Sequence, residues 1–496
     1  MEFEIIRKDV MGRIGKLKTT SGTVETPTIL PVINPSLMTI EPAEMAKYGA
    51  EMLITNSYII YRNDDLRKRA VDEGLHAMLN WDGPIMTDSG SYQLFEYGDV
   101  EIKNSEIIRF QEQIGTDIAV PLDIPTPPDV DRKRAESDLK ETLKRLTEAR
   151  KISKMPMAGP VQGSTFLDLR EESAAKVGKI GFEIYPIGGV VPLMEAYRYF
   201  DLVDIIASAK KFLPQNAPVH LFGAGHPMIF ALAVLLGCDM FDSAAYAIYA
   251  KKGRYLTRYK TCMVNELQYL PCSCPICSSY SLEDIKNNKN LLCEHNLYVT
   301  FEEVRLVKQS LKEGNLWELV ERRCRSHPYL LSGLFRATKY ARLMETYDPA
   351  TKSTFFYLGE TSARRPEVLR YSNRLNRFNL YGKVLIFAGK GKVKSSNERI
   401  EEYDHIFLMK APFGPYPIEL KETYPVGQSE APKEMDYEAK TVALENVLRL
   451  IEVNRDFDVE FVFVYDRDLW DHPLIEKIGK CGKTTMSEDT VYKDTA

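Results

Sequence analysis

From residue 27 to 246 the chain repeats one pattern: a short apolar run, a polar or glycine-rich turn, then an amphipathic stretch. The runs are Thr28-Ile29-Leu30, Met52-Leu53-Ile54, Ile85-Met86, Ile118-Ala119-Val120, Pro160-Val161, Ile184-Tyr185-Pro186-Ile187, Val219-His220-Leu221-Phe222 and Met240-Phe241. Helical patterns fall between them, over residues 42–48, 65–79, 106–113, 132–154, 168–180, 197–212 and 227–236. Strands that alternate with helices pair in parallel. Eight such units match a (βα)8 TIM barrel. An open doubly wound sheet is the alternative, but no GxGxxG follows the first run and no GxxxxGK[ST] occurs in the chain.

In a barrel, the residues just past each strand line the functional mouth. Here they are Asn56-Ser57, Asp88, Asp123, Gln162-Gly163, Gly188-Gly189, Gly223 and Asp242. Each alone reads as a turn former or a helix cap. Together they offer carboxylates, an amide and exposed backbone, with no Lys or Arg and only His226 nearby. Such a mouth suits a neutral substrate rich in hydrogen-bond donors and acceptors rather than a free phosphate. Asp242 and Asp88 repeat one arrangement, an Asp emerging directly after a short apolar strand.

Downstream of Asp242, Lys251, Lys252, Arg254, Arg258 and Lys260 form a small basic patch suited to phosphate contacts. Cys272, Cys274 and Cys277 follow, then Cys293 and His295. Three thiols this close, with a further donor downstream, suit one tetrahedral, structural zinc ion, with Cys293 and His295 competing as the fourth ligand. Residues 300–346 read as one or two long helices carrying Arg322, Arg323, Arg325, Arg336, Lys339 and Arg342. Strands are expected at 354–358, 384–387, 405–408 and 459–464, a helix at 438–452, and a proline-rich linker at 413–417. The expected organisation is a barrel domain over 1–345 with a zinc-binding insertion at about 262–300, then small α+β domains over 346–412 and 413–496.

Composition changes this picture little. The 496-residue chain is 44% apolar and 27% charged, ordinary for a globular protein. A net charge of −5 leaves nucleic-acid binding to local patches. The first ten residues lack the regions of a signal peptide, and the most apolar run, 228–236, is too short to span a bilayer. A cytoplasmic protein without a membrane partner is expected, in which clustered cysteines bind metal rather than form disulfides.

The motifs MTDSGSYQ (86–93), PLDIPT (121–126), PVQGS (160–164), PIGGVV (186–191), HLFGAGHP (220–227) and FDSAAYA (241–247), followed by CxCxxC (272–277) and His295-Asn296-Leu297, resemble the tRNA-guanine transglycosylase family in order and spacing. The stretches at 412–417 and 423–428 resemble the extra domains of its archaeal-type members. The resemblance implies exchange of guanine at position 15, in the D-arm of tRNA, for 7-cyano-7-deazaguanine (preQ0), the first tRNA step toward archaeosine. It assigns Asp242 as nucleophile and Asp88 as general acid/base. Tyr92 falls at the position that stacks on the base. Ser89, Asp123, Gln162, Gly189 and Val190 fall in the base-binding set. Cys272, Cys274, Cys277 and His295 match the zinc ligands, and the basic residues Lys251, Lys252, Arg254 and Arg258 are candidates for tRNA contact. A homodimer is expected. The resemblance implies a C-terminal PUA domain in full-length relatives; this chain is expected to lack it, so a separate PUA-domain protein is an expected partner.

Three rival readings make different demands on the sequence. A metal-dependent barrel hydrolase would need histidines at the strand ends. A tRNA-binding or modifying paralogue without exchange activity would tend to lack the nucleophile or the cysteines. A queuine-type enzyme acting at position 34 shares the catalytic core.

Overall fold

The structure is a computed structural model describing residues 1–91, 102–389, 402–481 and 484–488. The chain divides into two compact units, Met1–Ala337 and Thr338–Ala496.

In the first unit seven parallel strands form one sheet: Thr28–Ile33, Leu53–Asn56, Ile85–Asp88, Ile118–Ala119, Tyr185–Ile187, Val219–Leu221 and Met240–Ser243. Met240 pairs with Thr28, joining the last strand to the first. Bridges of Met157 to Ala119, and of Ala158 and Val161 to Ile184 and Ile187, put residues 157–161 into the remaining gap as the fifth of eight strands in chain order, Met240–Ser243 being the eighth. The ring is therefore closed in the order the sequence predicts, and the fold is a (βα)8 barrel. Its lumen is filled by Leu30, Ile54, Met86, Ile118, Val120, Ala158, Ile184 and Met240. Leu17 and Val24, from an antiparallel sheet of Glu2–Asp9, Gly12–Lys18 and Thr23–Thr26, belong to the same cluster. Strand side chains alternate between faces, so residues two positions beyond a lumen residue also face inward. Asn56, Asp88 and Asp242 stand in that relation to Ile54, Met86 and Met240.

The helices depart from the sequence pattern where the backbone requires it. The single helix expected over 65–79 is two, Asp64–Glu73 and Leu75–Leu79, parted by Gly74 at φ +84°. The stretch expected as one or two long helices contains Lys289–Glu313, Leu316–Cys324, Pro328–Thr338 and Ala341–Tyr347. Gly314, left-handed at φ +72°, ends the first, and Pro328 can open a helix but not continue one. The expected arginine-rich face is partly neutralised: Arg323 makes a two-pronged pair with Glu303, and Arg336 pairs with Asp204. Among the described residues no helix is long and apolar enough to cross a membrane.

In the second unit a five-stranded sheet runs in the order Gly414–Pro417, His405–Lys410, Gly382–Ala388, Val459–Tyr465, Thr484–Glu488. Val384, Ile386, Phe461 and Phe463 pack on one face with Ala443, Val447 and Leu450 of the helix Tyr437–Val453. Leu385, Phe387 and Val462 pack on the other. The proline-rich stretch expected as a linker is instead the edge strand Gly414–Pro417, antiparallel to His405–Lys410. An edge tolerates Pro415 and Pro417 because one side of the strand needs no donors. One sheet thus carries strands from both sides of residue 413.

Candidate active site

The third barrel strand ends at Asp88. Asn56 Nδ2, at the end of the neighbouring strand, donates to its Oδ2 at 3.1 Å, and Ser57 Oγ donates to its carbonyl at 2.7 Å. Burial, then the nearby carboxylates of Asp123 and Asp242, raise the Asp88 pKa from 3.8 to about 7. An acid that holds its proton near neutrality can both give and take one. Ser89 is fully buried; its hydroxyl donates to the Pro121 carbonyl and lies 3.1 Å from Ser91 Oγ. Ser91 Oγ accepts from the Asp123 amide at 3.0 Å, tying the third strand's turn to the fourth's. Tyr92 lies outside the described residues.

Asp123 is buried, and burial raises its pKa against the opposing bonds from Ser91 and Gln162. Gln162 Nε2 donates to Asp123 Oδ2 at 2.6 Å, while Gln162 Oε1 is buried without a partner among the described residues. The amide N–H of Gln162, a residue of the expected base-binding set, is thus engaged by Asp123 in this structure. Gly189 closes this wall at φ +70°, where a side chain would crowd the Thr126 carbonyl and Gln162 Oε1. Val190 is fully buried at the start of the helix Val191–Glu195.

Asp242 stands on the eighth strand. Its Oδ1 lies 2.9 Å from His220 Nε2 and accepts from the Gly223 amide at 2.8 Å. Gly223 is at φ +70°, and a Cβ there would run into Val191 Cγ2. The turn can present its N–H to Asp242 only as glycine. His226 is no part of this arrangement. Its ring caps the helix Pro227–Leu235 through Met228 N and contacts Thr261 Oγ1 at 3.1 Å.

Sequence reasoning missed two residues. His220 was visible as a polar residue inside an apolar strand, and its pairing with Met240 places it in the lumen. Arg170 had no such signal, since it sits in a charged helical stretch that reads as solvated. In the structure it is fully buried. Its guanidinium donates to the carbonyls of Ser164, Val161 and Gly188 at 2.8–2.9 Å, clamping the turns that carry Gln162 and Gly189. Burial lowers its pKa to about 9.

Beyond Asp242 the helix Ala245–Lys251 leads to a hairpin of Arg254–Leu256 and Thr261–Met263. Lys251 and Lys252 are exposed. Arg254 lies over the Tyr249 ring at 5.2 Å, and Arg258 pairs with Glu302. The donor atoms of Cys272, Cys274, Cys277 and His295 all lie within 4.8 Å of one another, close enough to share one metal ion. His295 Nδ1 faces the sulfurs while its Nε2 is held by the Leu256 carbonyl at 2.9 Å. That outer bond orients the ring, as hydrogen bonds to the far nitrogen of metal-ligating histidines commonly do. Tyr255 stacks on the His295 ring at 3.7 Å and approaches Cys277 Sγ at 3.2 Å. Cys293 is buried and outside the group.

The model of the queuine tRNA-ribosyltransferase family matches residues 9–329. A protein of Methanosarcina mazei named tRNA-guanine(15) transglycosylase is 55% identical over 491 residues, covering 98% of each chain. Namesakes from Haloferax volcanii and Methanocaldococcus jannaschii are each 49% identical; they cover 96% and 93% of this chain, and 92% and 72% of their own lengths are matched. The closed barrel, its acidic mouth and the Cys/His cluster all fall within the matched region. The chain belongs to the queuine tRNA-ribosyltransferase family.

Proposed function

We propose that this chain exchanges guanine-15 of tRNA for 7-cyano-7-deazaguanine through a covalent ribosyl–Asp242 intermediate. The observation that carries the reading is the contrast between two strand-end carboxylates. Asp88 is held near neutrality by burial and like charge, whereas Asp242 offers a carboxylate whose Oδ1 is already held by donors. Environments that differ in this way divide acid and nucleophile between two carboxyl groups.

In the first half, a carboxylate oxygen of Asp242 bonds to C1′ as the bond from C1′ to the guanine nitrogen breaks. The electron pair leaves on the base, which takes a proton from Asp88. The transition state is oxocarbenium-like, as in retaining glycoside hydrolysis. In the second half the incoming base gives a proton to Asp88, its nitrogen pair bonds to C1′, and Asp242 leaves as carboxylate. Inversion occurs twice, so configuration is retained.

Asp123 accepts N1–H and N2–H of guanine or of its 7-deaza analogue. Adenine lacks that donor pair and would leave buried acceptor capacity of Asp123 unmet, a strong basis for rejection. Gln162, Ser89, Gly189 and Val190 frame the same pocket, with Tyr92 as the stacking residue. The target base must leave the tRNA stack to enter, at a cost of a few kcal/mol. Phosphate contacts from Lys251 and Lys252 offset part of it, with Arg254 and Arg258 beside them. Position 15 rather than 34 is supported by relatives of that name that match across the second unit as well as the barrel. Cys272, Cys274, Cys277 and His295 would hold Zn2+: three sulfurs and an imidazole form a closed tetrahedral set, and the role is structural. A homodimer completes the proposal.

The test is incorporation of labelled guanine, then labelled preQ0, into unmodified tRNA by wild type and by Asp242→Ala. The reading requires label at position 15 that the variant loses. Label at position 34 would refute the substrate site, and undiminished incorporation by Asp242→Ala would refute the mechanism.

A further inference from the structure

The seventh strand sets His220 beside Met240 of the eighth, so His220 faces the lumen one step below Asp242. The ring is completely buried and lies edge-on to Phe222 at 4.7 Å. Its Nδ1 is buried with no hydrogen-bond partner among the described residues. The nitrogen with an acceptor in reach is Nε2, 2.9 Å from Asp242 Oδ1, so Nε2 carries the hydrogen and donates it. The Gly223 amide donates to the same oxygen at 2.8 Å from the turn above. Both bonds fall on Oδ1. A carboxyl group otherwise turns about a broad two-fold torsion that exchanges its oxygens. Two donors, one from a buried ring and one from a turn that only glycine can make, hold it in one orientation.

We propose that His220 is the positioning residue of the nucleophile: with the Gly223 amide it pins Oδ1 of Asp242 and presents Oδ2 to C1′. The inference rests on the reading of Asp242 as the ribosyl acceptor. In the forward step Oδ2–C1′ forms while the bond from C1′ to the departing base breaks, its electron pair leaving on the base. Oδ1 becomes the carbonyl oxygen of the ester and still accepts both hydrogens. In the return step the pair of the Oδ2–C1′ bond goes back to Asp242, and the two donors stabilise the carboxylate as it leaves. A hydrogen bond is stronger to a carboxylate than to an ester carbonyl. The arrangement therefore keeps the ester reactive toward an incoming base, which exchange requires.

The experiment measures exchange of labelled guanine into tRNA by the full-length, metal-loaded protein as wild type, His220→Leu and His220→Gln. Leucine fills the space and donates nothing, while glutamine carries an amide N–H near the place of Nε2. Misplacing a reacting atom by about 1 Å costs roughly 100-fold in rate, so His220→Leu should lose about that in kcat while KM for guanine and for tRNA changes by less than about threefold. His220→Gln should recover at least about tenfold of the loss. Wild-type kcat in His220→Leu overturns the proposal. Equal impairment of both variants at wild-type melting temperature also overturns it, because that is the signature of packing alone. Should a variant fail to fold, the wild-type protein decides: in the structure of its trapped covalent adduct, ribose on Oδ2 with Oδ1 still on His220 supports the proposal, and ribose on Oδ1 overturns it. Exchange by wild type and His220→Leu alike sinks the positioning role only. Absence of exchange and adduct in wild type sinks the reading of Asp242 and this inference with it.

Discussion

At the scale of single residues, burial and the neighbouring Asp123 and Asp242 carboxylates hold the Asp88 pKa at about 7. The folded protein therefore keeps a proton between about pH 4 and 7 that the unfolded chain releases. The group's contribution to stability is full below its ordinary value of 3.8 and is lost as pH rises through about 7. Asp88→Asn removes the titration, so its stability relative to wild type should rise across that window by a few kcal/mol, read from urea midpoints at pH 4.5 and pH 8. A difference that does not move with pH would mean that Asp88 is not strained in this way. The same variant should exchange guanine about 100- to 10,000-fold more slowly, the usual worth of a general acid/base, while tRNA affinity is kept. Asp88, Asp123, Gln162 and Asp242 were legible in the sequence because each follows a short apolar strand. His220 left a fainter trace, one polar residue within such a strand. Arg170 left none, since its charged helical neighbours hide that its side chain turns inward. The pairing of Gln162 with Asp123 was not legible either: the predicted ring order makes their strands neighbours, but it does not say that the amide turns toward the carboxylate.

At the scale of elements, turns rather than strands set the geometry of the mouth. Gly223 at φ +70° aims one amide at Asp242, and Arg170 staples the turns after the fifth and sixth strands through three carbonyls. Arg170→Met strands those buried acceptors, each worth about 1–3 kcal/mol when left unpaired. The expected outcome is a loss of roughly 2–4 kcal/mol in thermal or urea unfolding together with a raised KM for the free base. Unchanged stability and KM would mean the clamp is ornamental. The eight strands were legible because alternation of apolar runs with helical periods survives any tertiary detail. Helix limits were less so: Gly74 breaks the expected 65–79 helix by adopting a positive φ of +84° that its neighbours in sequence do not announce. Pro415 and Pro417 suggested a linker because proline opposes a central strand, yet an edge strand accepts both.

At the scale of the whole molecule, the Cys272, Cys274, Cys277 and His295 cluster, proposed to hold zinc, and the basic surface carry the remaining tests. Chelation, or Cys277→Ser, should lower the melting temperature and release one zinc per chain by atomic emission, because a closed site of this kind contributes folding energy directly. A chelated protein with unchanged melting would remove the structural role. Affinity for tRNA should fall steeply with salt through counterion release, and Lys251→Ala with Lys252→Ala should flatten that slope by about two unit contacts. An unaltered slope would move the tRNA path elsewhere. The central claim is the bond between Asp242 and ribose, and the most direct measurement of it is peptide mass spectrometry of wild-type protein quenched by denaturation during exchange on tRNA. The account predicts a tRNA-linked peptide whose nucleotide maps to Asp242 and disappears in Asp242→Asn; brisk exchange with no adduct, or an adduct on Asp88, would contradict it.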